Sequence, residues 1–279
     1  MGVRIVTDTS CDLSPELDRE VKALGTKVIP FFFHFGMDPY ADKAMSMREF
    51  FDRANREWPT TAAPSSGAFG EAFREIIEGG DEVVCITITS RHSATYNAAV
   101  LASRDFAPGQ VSVVDSLSLS FGQGILVMMA ARAAHAGATK EQILEMLDDI
   151  KQRLHVLIAL DTVNYLVKGG RASRLTGALA TLLKLRPILT LRDGELTVID
   201  KPRGRETSKD RLLKLAHELF PAQVVGVMHI AAEAEALEMA DRLAAQTGYP
   251  REEIILGETG MALAAHGGPG TLGIIVVSR

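Results

Sequence analysis

The chain is short of the features that announce most classes of function. Its 279 residues include only two cysteines, Cys11 and Cys85. Cys85 lies inside an apolar run, so no disulfide framework is implied, which suits a reducing compartment. Lys and Arg number 30 against 35 Asp and Glu, a net charge of −5, and no basic block occurs. That balance argues against nucleic acid as the main partner. No run of 18 apolar residues appears, so no membrane span is predicted. The opening Met1-Gly-Val-Arg-Ile-Val-Thr-Asp8 has no apolar stretch of signal-peptide length. A cytoplasmic protein is therefore expected. No Walker A sequence, metal-binding His pair or Gly-x-Ser-x-Gly elbow is found, and no repeat or low-complexity tract.

Hydrophobic residues make up 47% of the chain, enough to bury a substantial core in one large or two modest domains. Strand and helix signals alternate through the first half. Arg4 to Asp8 reads as a strand. Ser14-Pro15-Glu16 opens a helix, with Ser as N-cap and Pro at the first helical position. Thr26 to Phe35 reads as extended, and Gly36-Met-Asp-Pro39 turns it back. Ser46-Met-Arg-Glu49 and Thr139-Lys-Glu-Gln142 both have capping-box spacing, opening helices to about Glu57 and Leu154. Gly67 to Glu78 and Phe121 to His135 read as helices. Glu82 to Thr89 and Val111 to Asp115 read as strands rich in β-branched residues. Crossover helices between such strands imply a mainly parallel sheet covered on both faces, a three-layer α/β/α domain.

The pattern changes after residue 155. Val156 to Asp161 is a predicted strand and Ser173 to Lys184 a predicted helix. Asp193-Gly194, the favoured two-residue turn, joins Pro187–Arg192 to Glu195–Asp200 in a hairpin. A helix, a strand over Val224–Ile230, a second helix and strands over Ile254–Gly257 and Leu272–Val277 follow. A hairpin within a mixed sheet flanked by helices predicts a two-layer α+β domain. The expected division is 1–155 and 156–279, with the boundary between Gln152 and Val156.

Three segments carry candidate chemistry. In the tail, His266 stands before Gly267-Gly-Pro-Gly270, a run whose glycines let backbone approach a ligand closely while its proline fixes the turn. Upstream, Pro59-Thr-Thr61-Ala-Ala-Pro64-Ser-Ser is rich in hydroxyls. So is Thr87-Ile-Thr-Ser-Arg-His-Ser93-Ala-Thr-Tyr-Asn97, which links a predicted strand to a predicted helix. Such a loop lies at the carboxyl end of a parallel sheet, where open α/β folds bind ligands. Ser93 then sits near a helix N-terminus, either favouring an anion or simply capping the helix. Asp8, Asp12 and Asp115 stand at strand ends, where turn capping accounts for them better than Mg²⁺. No metal site or cofactor is expected. Ser93, His266 and Asp115 also form the residue set of a serine hydrolase, which only geometry decides.

Taken in order, six motifs give the chain a family resemblance. Val6-Thr-Asp-Thr-Ser-Cys-Asp12-Leu, Thr61-Ala-Ala-Pro64-Ser, Thr89-Ser-Arg-His-Ser93-Ala-Thr-Tyr, Asp115-Ser-Leu-Ser-Leu-Ser-Phe-Gly122, Lys168-Gly-Gly-Arg171 and His266-Gly-Gly-Pro-Gly270 resemble the motif series of the DegV family of bacterial fatty-acid-binding proteins. The likeness spans nearly the whole chain. Ala62 and Ala63 replace a usual polar pair, and Ala94 replaces a glycine, so the backbone at Ala94 must avoid a strongly positive φ.

The resemblance implies a long-chain fatty acid, such as palmitate, in an apolar tunnel. Its carboxylate would meet the hydroxyls of Thr61 and Ser93, with His266 close by. It further implies a non-catalytic carrier whose bound acid is phosphorylated by a separate kinase subunit. Arg171, in a basic loop, and Arg203 of Lys201-Pro-Arg203-Gly-Arg205 would then steady the phosphate or meet the kinase, unless each is a solvated charged turn. Phe121, Ile125, Met128, Met129 and Leu263 are candidates for the tunnel lining or for ordinary core.

Overall fold

The computed structural model describes residues 2–171 and 185–279, which form two compact units. One is built from the segment up to Phe32 together with Ala62–Gln152, the other from Phe33–Thr61 and Arg153–Arg279. The helix expected over Ser173 to Lys184 lies outside the described residues.

The first unit holds a four-stranded sheet in the order Lys27–Ile29, Val3–Asp8, Glu82–Thr87, Val111–Asp115, every pair parallel. Side chains alternate across it. Val6, Val83 and Cys85 face Phe69, Phe73, Ala99 and Ala102 of the helices Ser66–Glu78 and Thr95–Ser103. The helix Phe121–His135 lies against the two central strands, and Pro15–Ala23 packs on it. This is the expected three-layer α/β/α arrangement. Some of its helices begin where a local side chain satisfies a first-turn N–H group. Ser14 Oγ accepts from Leu17 N at 3.3 Å, with Pro15 at the first helical position. At Thr139 and Gln142 the reciprocal capping bonds are both present. Ala94, at the start of Thr95–Ser103, has φ −79°, so the Gly-to-Ala departure carries no backbone strain.

The second unit holds a mixed six-stranded sheet in the order Glu195–Asp200, Ile188–Arg192, Leu154–Ala159, Thr271–Ser278, Ala222–Ile230, Ile255–Glu258. Only the last pair is parallel. The hairpin turns at Asp193 and Gly194, both at positive φ, as a primed two-residue turn requires. The helices Arg205–His217 and Glu233–Thr247 bury Leu212, Leu213, Ala236, Met239 and Leu243 against one face. This is the expected α+β layer pair.

The division of the chain differs from the expected 1–155 and 156–279 in one respect. The extended run over 26–35 breaks into two strands. Lys27–Ile29 joins the parallel sheet, whereas Phe32–Phe35 joins a three-stranded sheet with Asp38–Ala41 and Thr60–Ala62. Together with the capping-box helix Met47–Ala54, this segment packs with the second unit. The reason is aromatic. Phe33, Phe35, Phe50 and Phe51 form an edge-to-face cluster, with Phe33 and Phe50 centroids 5.3 Å apart. Its remaining apolar surface is buried by Ile230, Met261, Ala264 and Ala265. No helix among the described residues is long and apolar enough to cross a membrane.

Candidate functional site

At the carboxyl ends of the parallel strands lies a dense polar network. Asp8 is fully buried. One of its oxygens accepts from Ser10 N at 3.0 Å and contacts Ser10 Oγ; the other accepts from Ile88 N at 3.1 Å and Gln123 Nε2 at 3.2 Å. Burial pushes its pKa up to about 6, although all four of these contacts act to lower it. Proton counting agrees with that direction. Ser10 Oγ faces two acceptors, Asp8 Oδ1 and Gln123 Oε1, the latter at 3.1 Å, but a hydroxyl carries one proton. A proton on Asp8 lets the carboxyl donate to Ser10 while Ser10 donates to Gln123, so both acceptors are served.

Of the neighbouring carboxylates, Asp115 caps a turn and Asp12 bonds a distant hydroxyl. Asp115 accepts from Ser90 N and Leu117 N, and Asp12 accepts from Ser120 Oγ at 2.7 Å. Among the described residues, no cluster of three or more His, Cys, Asp or Glu could hold a metal ion. Ser93 belongs to this unit. Its hydroxyl bonds Thr95 Oγ1 at 2.7 Å and accepts from Thr95 N at 3.3 Å. It therefore stands at the helix start as expected and binds the first helical residue.

The second unit places Thr61 and His266 together. Thr61 Oγ1 and His266 Nε2 are 3.0 Å apart, although 205 residues separate them in sequence. Thr61 is in the short strand Thr60–Ala62, and His266 in the last turn of the short helix Met261–Gly267. The tail was expected to be a turn; its apolar Met-Ala-Leu-Ala-Ala run makes a turn and a half of helix first. Gly268 and Gly270 follow at φ +79°, a region that side chains resist.

Glycines also shape the wall around the ring. A Cβ on Gly169 would collide with His266 Nδ1 and come within 2.9 Å of Cε1, and one on Gly268 would come within 2.7 Å of Tyr165 Cγ. Gly169 is the second residue of Lys168-Gly-Gly-Arg171, so this motif reaches the histidine through bare backbone. Arg171 Nη1 donates to Gly169 O at 2.8 Å, which ties the guanidinium to the same loop. Residues 172–174 of this basic stretch lie outside the described residues.

Tyr165, in the helix Asn164–Lys168, packs at a tilt against Trp58 with centroids 5.1 Å apart, and Lys168 Nζ lies 4.8 Å from the Trp58 ring centre. Trp58 and Tyr165 went unnoticed in the sequence; the lone tryptophan three residues before Thr61 was the available signal. Arg203 is exposed. Its carbonyl accepts from Arg186 Nη1 at 3.3 Å, and Arg186 Nε bonds Asp161 at 2.7 Å. Asp161 in turn lies against Gly270. Arg203 is thus linked through Arg186 and Asp161 to the glycine turn after His266.

A parallel α/β unit and a mixed-sheet α+β unit, with a histidine held between a threonine hydroxyl and glycine backbone, define the class of protein. Residues 2–279 match the model of the DegV family of uncharacterised proteins, and the chain belongs to that family. A DegV domain-containing protein of Caldanaerobacter subterraneus is 32% identical, with 98% of this chain and 97% of the relative covered. A solved Thermus thermophilus structure, described as fatty acid binding of a DegV family protein, superposes with a TM-score of 0.89. It is 29% identical and all of both chains is covered. A stearic-acid-binding protein from Eubacterium ventriosum gives a TM-score of 0.85 at 25% identity, over 98% of this chain and 97% of that one.

Proposed function

We propose that the protein is a non-catalytic carrier that holds a long-chain fatty acid in an apolar tunnel and presents its carboxylate at Thr61, Ser93 and His266. The observation that carries this reading is the Thr61–His266 pair at 3.0 Å, with the ring seated against Gly169. Two polar side chains from distant segments meet where the lack of a side chain on Gly169 lets backbone pack directly against the ring. Family membership supports the ligand class, since the Thermus and Eubacterium proteins are described as binding a fatty acid and stearic acid.

The energetics fit a carrier. About 14 methylenes at roughly 0.8 kcal/mol each contribute on the order of 11 kcal/mol before association costs. The acyl chain supplies the affinity, and the head group needs only to be oriented. Hydroxyls of Thr61 and Ser93 each donate one hydrogen bond to a carboxylate. Neutral donors leave the carboxylate nucleophilic, as its next step requires. That step is attack of a carboxylate oxygen on the terminal phosphorus of a nucleoside triphosphate held by a partner kinase, giving an acyl phosphate and the diphosphate. His266 assists the developing charge, while Arg171 and Arg203 steady the phosphate or meet the kinase.

Calorimetric titration of delipidated protein with C14 to C18 acids, checked by native mass spectrometry, tests the reading. One acid bound per chain is expected. Failure to bind any of these acids rules the carrier out, and turnover of acyl esters without a kinase would point instead to a hydrolase using Ser93 and His266.

A further inference from the structure

The helix that carries His266 is too short to hold itself. Met261–Gly267 has seven residues, and its N-cap, Gly260, provides no side-chain bond. Helices of this length gain little from propagation and are marginal without outside support. Here the support comes from the turn after Asp38–Ala41, about 220 residues away in sequence. Asp42 Oδ1 accepts from Ala262 N at 3.0 Å, and Lys43 N lies 3.2 Å from Met261 Sδ. The turn is sharpened by Lys43 at φ +64° and closed by Ala44 N on Ala41 O at 3.0 Å. The fit is close: a Cβ on Gly260 would collide with Asp42 Oδ2 and stand 2.8 Å from Oδ1. Ala262 and His266 are four residues apart, on one helix face. The peptide that Asp42 anchors therefore lies one turn beneath the histidine.

We propose that Asp42 is a positioning residue: through its bond to Ala262 N it acts as the N-cap of the Met261–Gly267 helix and so sets where the His266 ring meets a bound carboxylate. The carboxylate performs at a distance what an N-cap side chain does locally, accepting from a free first-turn N–H and placing negative charge at the positive end of the helix. Without it the first turn frays. His266 then keeps its identity but loses its register against Thr61 and Gly169. The inference rests on the reading of His266 as part of the head-group site.

The test compares two ligands with the same tail, palmitate and hexadecanol. Wild-type protein should bind the acid more tightly than the alcohol, and His266→Ala should reduce that preference. Asp42→Ala should reduce it by a similar factor, about tenfold, the loss of one charge-assisted hydrogen bond. Asp42→Asn, which retains an acceptor oxygen, should restore most of it. Asp42→Ala in the His266→Ala background should reduce it no further. A merely structural role would weaken both ligands equally and leave the ratio unchanged.

Gly260→Ala supplies a second route that keeps Asp42 intact. It crowds the cap from the other side, has an ordinary φ of −68°, and should also lower the ratio. If wild-type protein prefers the acid and His266→Ala abolishes that preference, while Asp42→Ala and Gly260→Ala leave it unchanged, the role given to Asp42 is wrong and the head-group site stands. If wild-type protein binds acid and alcohol equally, the head-group site itself fails.

Discussion

The polar end of the first unit and the His266 corner of the second surround their polar side chains in different ways. Around Asp8, Ser10, Ile88, Gln123 and Thr7 close a network in which burial raises the carboxyl's pKa to about 6. Around His266, among the described residues, Thr61 supplies a side-chain hydroxyl and Gly169 packs bare backbone against the ring. The first arrangement is a many-membered side-chain network, and the second pairs one hydroxyl with glycine backbone. What distinguishes the second corner is bare glycine backbone packed directly against the His266 ring and Tyr165.

Substitutions that fill or unbalance each corner test this contrast. The largest effect is expected at Gly124, whose added Cβ would collide with the Cys11 carbonyl and stand 2.9 Å from Phe121 Cδ2. Gly124→Ala should cost about 3 kcal/mol in urea unfolding, because backbone cannot give way as a side chain can. Asp8→Asn comes next. The folded pKa of Asp8 is about 6, above its ordinary 3.8, so the folded chain holds the proton more tightly than the unfolded chain does. Its contribution is fully present below pH 3.8 and is lost as pH rises through about 6, on the order of 3 kcal/mol. Asp8→Asn sacrifices the Ser10 N–H bond at every pH but should remove this slope. An unchanged slope between pH 4 and 7 would mean that Asp8 is ionised throughout.

Ser93→Ala should weaken palmitate binding by roughly 1.5–3 kcal/mol, the worth of a hydrogen bond to a charged group. Thermal unfolding should move little, since the lost Thr95 contact is a half-buried turn bond. An effect on stability with none on binding would make Ser93 a cap alone. The smallest change in free energy is expected for Gly169→Ala. Its φ of −75° suits alanine, so the cost is steric and falls on the His266 ring. Palmitate affinity should drop about tenfold, near 1.4 kcal/mol, with unfolding shifted by less than in Gly124→Ala. Equal losses of stability in the two glycine variants would erase the distinction between the corners.

Much of this was legible in the sequence because the deciding interactions are local. The capping boxes at Ser46 and Thr139, proline at the start of the first helix and the Asp193-Gly194 hairpin each act within four residues. The family motifs pointed to Thr61 and His266, which the fold brings together. Non-local interactions escaped. The segment 33–61 joins the second unit because Phe33, Phe35 and Phe50 find partners on the Met261–Gly267 helix and at Ile230, and no pattern within 33–61 names those partners. The helix under His266 was missed for the same reason, since its cap comes from Asp42. Gly169 was visible as part of a motif, but its service as a wall for the ring is a tertiary fact.

The central claim is that Thr61, Ser93 and His266 hold one carboxylate. Carbon-13 NMR of palmitate labelled at the carboxyl carbon and bound to delipidated protein tests it most directly. The bound resonance should be single, distinct from that of free palmitate, and displaced by each of Thr61→Ala, Ser93→Ala and His266→Ala while the acid remains bound. A bound resonance that is the same in wild-type protein and all three variants would contradict the claim.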